Sequence, residues 1–184
     1  MNQDDIQSHI TGLLKIIGED TSREGLVDTP KRVAKSYEKL FEGYGKDPQD
    51  VVTVFDSEKY DEMIIIKDID FFSMCEHHML PFFGKVHVGY LPTDKIIGAS
   101  KIPRIVDIFA RRLQNQERLT KQIADTLSEL LSPKGIGVVM EAEHLCMKAR
   151  GVEKLNTIMS TSSFTGLFKS NMNTRSEFLT LIKK

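Results

Sequence analysis

Cysteine is scarce in this chain, with two among 184 residues, and net charge is nearly absent at a formal −1. Without an overall field, nothing draws the protein onto nucleic acid or an anionic membrane, so neither is expected as a partner. An anionic substrate would have to be met by a local group of bases. Long hydrophobic runs are missing too: Met63–Ile66 is soon broken by Lys67 and Asp68, far short of the ~18 apolar residues of a membrane span. The start, Met1-Asn2-Gln3-Asp4-Asp5, is polar and acidic, unlike a secretory signal, and the expectation is a cytoplasmic enzyme. No internal repeat, low-complexity tract or interdomain linker stands out. A hydrophobic share of 40% and a charged share of 28% are ordinary for one globular domain. A chain of this length buries about 70% of its unfolded surface. Residues 1–28 are expected to form an N-terminal helix and loop, and 29–184 a single catalytic domain.

What the chain does contain is a concentration of soft and borderline metal donors. Ser73-Met74-Cys75-Glu76-His77-His78 holds one cysteine and two of the five histidines, and the other cysteine follows closely on a histidine in His144-Leu145-Cys146. Thiolate and imidazole are the ligands zinc prefers, and Cys75, His78 and Cys146 supply three. Three ligands rather than four is the catalytic pattern, with the fourth position left for water or substrate. His77 and His144 then stand beside the metal as imidazoles able to move protons near neutral pH. Two other fates are open to the cysteines. They could form one disulfide, rare in a reducing compartment, or pack as small hydrophobes. The neighbouring histidines favour metal.

Periodicity outlines the elements. Ile6, Ile10, Leu13, Leu14 and Ile17 mark a helix over 4–19, capped by Asp4 or Asp5. Thr29-Pro30 opens a second, with Thr29 as N-cap and Gly43 and Gly45 past its end. Arg32 and Lys35 share a face of it, which by pattern alone is a solvated surface. A strand over 62–72 runs into the cysteine-histidine turn, and a second over 83–91 pairs back antiparallel, with His87 a half-buried strand residue. Ser100-Lys101-Ile102-Pro103-Arg104 opens a third helix, whose free amides and flanking bases suit a phosphate or simply cap a helix. After a connection over 111–116, Glu117 begins a fourth. A strand over 136–146 would set His144 and Cys146 on one side. A strand over 155–164 follows, and a capping box at Thr174-Arg175-Ser176-Glu177 opens a terminal helix. Paired helices and paired strands make the class α+β with an antiparallel sheet.

Four runs carry a resemblance: Cys75-Glu76-His77-His78, Gly98-Ala99-Ser100-Lys101-Ile102-Pro103-Arg104, Gln116-Glu117-Arg118-Leu119-Thr120, and His144 through Gly151. In this order they resemble GTP cyclohydrolase I, from about Thr29 to the C-terminus. Asn115 departs from the family pattern, where an apolar residue is expected. The resemblance implies conversion of GTP and water to 7,8-dihydroneopterin triphosphate and formate, the entry to folate and other pterin synthesis. It implies Zn2+ on Cys75, His78 and Cys146, and addition of hydroxide to C8 of guanine with His144 protonating N7. His77 and Ser100 would serve the later proton transfers near the sugar. Glu117, with Gln116 beside it, would accept from guanine N1–H and the 2-amino group. Lys101, Arg104 and Arg150 would hold the triphosphate, with Arg32 and Lys35 reaching in from a neighbouring subunit. The implied fold is the tunnelling fold: an antiparallel sheet backed by two antiparallel helices, with subunits closing their sheets into a β-barrel. The implied assembly is a homodecamer of two stacked pentamers, with active sites at subunit interfaces. Two rival readings remain: a tunnelling-fold enzyme acting on pterins or deazapurines, and a non-catalytic, zinc-stabilised nucleotide-binding protein with a closed metal site.

Overall fold

A computed structural model describes residues 1–183 as two compact units, Met1–Glu42 and Gly43 onward. The first unit is a helix pair, α1 (Gln3–Ile16) and α2 (Thr29–Leu40). The cap of α1 is Asn2, not Asp4 or Asp5: its side chain accepts from the N–H groups of both. The helix ends at Ile16, short of the expected residue 19, and Gly18 follows at φ 90°. Thr29 is the first residue of α2 rather than its cap, a place taken by Asp28, and the Thr29 hydroxyl donates back to Gly25 O at 3.3 Å. Gln3 joins the helices by donating to Glu38 Oε1 at 2.8 Å and to the buried Ala34 at its carbonyl.

The second unit is built on a five-stranded sheet in the order β5-β2-β3-β6-β7. Its strands are β2 (Ile64–Cys75), β3 (Pro81–Leu91), β5 (Leu113–Gln114), β6 (Gly135–His144) and β7 (Met159–Phe164). All neighbours are antiparallel except β5, which runs parallel to the end of β2. A small second sheet, unforeseen in the sequence, pairs β1 (Val54–Asp56) with β4 (Lys95–Ile97). β6 stops at His144, and Cys146 lies on a one-turn helix, α5 (Leu145–Lys148). The expected strand to residue 146 is therefore wrong, and so is the period-two argument that set the two residues on one side.

One sheet face carries the main core. Cross-strand partners Val86↔Met140, Val88↔Val138 and Tyr90↔Ile136 are each 1% exposed or less. Alternation along β2 adds Ile69, Phe71, Ser73 and Cys75 to the same face. Onto it pack α3 (Lys101–Ala110), through Ile102, Ile105, Val106 and Phe109, and α4 (Gln116–Leu131), through Leu119, Ile123, Ala124 and Leu127. These residues recur at helical spacing, and each fully buried Leu, Ile, Val or Phe contributes about 1.5–3 kcal/mol. Mixed helix and sheet is thus the observed architecture.

The opposite face is closed by α6 (Gly166–Ser170) and α7 (Met172–Ile182), whose Phe168 and Phe178 are fully buried and meet edge to face at 5.4 Å. α6 was not foreseen. α7 starts at Met172, capped by Asn171 accepting from Asn173 and Thr174, so the capping box expected at Thr174–Glu177 does not form there. Facing glycines admit the rings: Gly89 and Gly137 are cross-strand partners. A Cβ would come within 2.7 Å of Phe178 at Gly89 and 2.6 Å of Phe168 at Gly137. Gly137→Ala should lower stability by about 1–3 kcal/mol, the cost of overpacking a filled core. Urea unfolding checks this, and an unchanged midpoint would show that the rings step aside freely.

Candidate active site

The site lies where β2 and β6 end on the helix-facing side of the sheet. Cys75 is the last residue of β2 and is buried. A tight turn follows: Met79 N–H donates to Cys75 O at 2.8 Å, Cys75 N–H to Leu80 O at 2.9 Å, and Met79 adopts φ 52°. That turn brings His78 back toward Cys75. Cys146 arrives from α5, and its Sγ lies 3.9 Å from that of Cys75. The donor atoms of Cys75, His78 and Cys146 all lie within 4.8 Å of one another. Two thiolates on a tetrahedral ion with Zn–S of about 2.3 Å stand about 3.8 Å apart, so the sulfur spacing fits zinc closely. Among the described residues no fourth donor joins this group. Burial and then the adjoining Cys75 sulfur push the Cys146 thiol above its ordinary range, with Arg150 opposing weakly. A thiol held protonated in this way must release its proton on taking a cation.

His144 closes the site from β6. Strand alternation turns it to the same face as Met140 and Ala142, where its ring stacks on its cross-strand partner Phe82 at 4.6 Å and 6°. Its Nε2 lies 2.8 Å from Gln116 Oε1. The orientation of that amide is dictated by its other partners: Gln116 Nε2 faces the carbonyls of Met140 and Met159, which only accept. Oε1 is therefore the end offered to His144, so His144 Nε2 carries the hydrogen and Nδ1 is its free nitrogen. Behind Gln116, Thr161 accepts from its Nε2 at 3.1 Å and Thr120 returns a bond to its carbonyl at 2.7 Å. Burial lowers the pKa of His144 from 6.5, opposed by the charge of Glu117.

A pocket of about 340 Å³ opens over these groups. Cys75, His78, Cys146, His77, His144, Glu117 and Arg150 line it, with Met147, Val152 and Met159 as apolar wall. The fold thus gathers Cys75, His78 and Cys146, the imidazoles of His77 and His144, the Glu117 carboxylate and the Arg150 guanidinium around one opening. His77 is mostly exposed, with Nδ1 3.8 Å from Cys75 Sγ. Gln116 lies behind the pocket, 1% exposed, with its side chain engaged by His144 and the sheet. Ser100, Lys101 and Arg104, at the start of α3, are not among the lining residues. Ser100 occupies the cap position without a side-chain cap bond. Arg32 and Lys35 belong to the first unit, both exposed, with Arg32 3.4 Å from Asp28. A second cavity of about 430 Å³ contains Asp68, Lys85, His87 and Glu141 on the opposite sheet face. His87 is more deeply buried than expected, at 5% exposed, and its Nδ1 accepts from Asp68 N–H.

One lining residue carries a signal that the motif reading passed over. Asn115 is the N-cap of α4, accepting from Arg118 N–H at 2.8 Å. An asparagine directly before a helical apolar period is the ordinary mark of a helix start. The helix accordingly begins at Gln116, one residue before the expected Glu117.

The fold and site define a mixed helix-and-sheet protein in which three donors that could hold a metal ion open onto a largely apolar pocket. A family model described as GTP cyclohydrolase I matches residues 6–183. A protein of Chlorobium chlorochromatii named GTP cyclohydrolase 1 is 54% identical over 182 residues, covering 98% of this chain and 82% of its own. One of that name from Wolinella succinogenes is 55% identical, covering 95% and 94%. Another, from Methylococcus capsulatus, is 58% identical, covering 92% of each. The chain belongs to the GTP cyclohydrolase I family.

Proposed function

We propose that this enzyme converts GTP and water to 7,8-dihydroneopterin triphosphate and formate at a zinc centre held by Cys75, His78 and Cys146. The observation that carries the reading is one pocket lined by three metal donors, by Glu117, and by a histidine whose free nitrogen is fixed from behind. When bound, zinc lowers the pKa of a coordinated water toward about 7 and so supplies a nucleophile at neutral pH. His144 does the proton work at guanine N7. Its Nε2–H is spent on Gln116, so the mobile proton is carried at Nδ1. Gln116 then acts through His144, which differs from the direct base contact expected of it. His77 and Ser100 serve the later transfers near the ribose.

Glu117, at the first turn of α4, accepts from N1–H and the 2-amino group of guanine. Arg150 binds the triphosphate within the same chain. Lys101 and Arg104 join it from the start of a neighbouring subunit's α3, since they do not line the pocket of the single chain. Arg32 and Lys35 complete the clamp from another subunit. The working assembly is then a homodecamer of two pentamers, with sheets joined into a barrel and sites at subunit boundaries. No helix among the described residues is long and apolar enough to cross a membrane, and the reading places the enzyme in the cytoplasm.

Metal-loaded protein incubated with GTP should release formate and develop a pterin chromophore. Glu117→Ala should lower kcat/KM for GTP by about 10–100-fold, the value of a hydrogen bond to a charged group, and narrow the preference over ATP. An unchanged preference removes Glu117 from base recognition. No formate from metal-loaded wild-type protein defeats the reading as a whole.

A further inference from the structure

The turn that carries Cys75 and His78 is fastened to the start of α4 through one carboxylate. Glu76 stands between the two donors in sequence. Its Oε2 pairs with Arg118, and its Oε1 accepts from Asn115 Nδ2 at 3.1 Å. Its backbone N–H donates to Gln114 O at 3.0 Å. Arg118 is itself held, donating from Nε to Gln114 Oε1 at 2.9 Å and from Nη2 to Leu113 O at 3.0 Å. Gln114, 1% exposed, spends its Nε2 on Phe109 O and Gln122 Oε1, both at 2.9 Å. Asn115 divides its amide between the two sides: Oδ1 caps α4, and Nδ2 reaches Glu76.

We propose that Asn115 is a positioning residue for the metal ligands, acting through Glu76. The inference rests on reading Cys75, His78 and Cys146 as a metal site. His78 is exposed, and its turn is otherwise shaped by backbone bonds, so its ring has little packing to fix it. Pinning Glu76 on two sides fixes the backbone between the donors and limits the angles at which they meet an ion. The same amide starts the helix that carries Glu117, so the metal-binding turn and the base-recognition carboxylate keep one spacing. Partners that orient ligands from outside the coordination shell are typically worth about 10–100-fold in metal affinity.

The test uses Asn115→Asp and Asn115→Ser in the full chain. Asp keeps the size and the capping oxygen but sets a second carboxylate oxygen against Glu76. Ser keeps a capping oxygen and only loses reach. Zinc affinity is measured by chelator competition, ligand geometry by the visible spectrum of the cobalt-substituted protein, and fold by the thermal midpoint of the metal-free form. The expected result is about a tenfold or greater loss of zinc affinity, larger for Asp than for Ser, with a changed cobalt spectrum and an unchanged metal-free midpoint. Wild-type affinity and spectrum in Asn115→Asp overturn the proposal. So does a loss of affinity matched by an equal fall in the metal-free midpoint, which is the mark of a cap alone. Wild-type protein that takes up no zinc overturns the metal-site reading, and this proposal with it.

Discussion

Cys146→Ser should remove metal and activity together while leaving the fold in place. A serine hydroxyl is a hard, protonated donor at neutral pH and a poor substitute for thiolate on zinc. A four-ligand zinc site binds with about 10–16 kcal/mol, so losing one ligand costs at least a few kcal/mol, or about 100-fold in affinity and more. Turnover should fall to background. The substitution is sterically mild, and Cys146 is half-buried on a one-turn helix rather than set in the main sheet. Far-UV circular dichroism and the metal-free thermal midpoint should therefore match wild type. Metal content by elemental analysis decides the matter: full zinc occupancy in the variant would take Cys146 out of the ligand set.

His144→Asn should do the opposite, keeping the metal and losing turnover by about 10²–10⁴-fold, the usual contribution of a placed acid–base group. His144 lies outside the three-donor group, so stoichiometric zinc is expected to remain. The shorter side chain also leaves Gln116 Oε1 without its partner, a loss of about 1–3 kcal/mol in stability. There is a pH signature as well. The folded pKa of His144 lies below its ordinary 6.5, so near that pH the native state binds fewer protons than the unfolded chain. Its share of stability is present above pH 6.5 and is lost as pH falls through the lowered value, a sensitivity the variant should lack. Loss of zinc from His144→Asn would make His144 a ligand instead.

Much of this site was legible in the sequence because metal chemistry restricts residue type so severely. Cys75, His78 and Cys146 could be grouped from their company alone, and the structure brings their donor atoms together. The helices α3 and α4 and the strands β2 and β3 were legible because each buries one face and so shows its period. Reading failed where local rules were extended past a change of element. Period two was carried through His144 to Cys146, yet the chain turns into α5 there, since the donor must leave the sheet to meet Cys75. Gln116 and Asn115 show another limit: each makes a side-chain hydrogen bond to a residue 28 or 39 positions away, and no local pattern records such a partner. Lys101 and Arg104 do not line the pocket of the single chain, and in sequence a surface base looks the same whether it faces water or a partner.

The two sulfurs come from positions 71 residues apart. A cation gripped between them ties off nearly two fifths of the polypeptide as a disulfide would, but with a reversible pin. In a chain-entropy picture, closing a loop of that length withdraws roughly 4–5 kcal/mol of freedom from the unfolded state. On the zinc reading proposed above, the ion would double as a structural rivet, and a chelator that silenced the enzyme would soften its architecture in the same stroke.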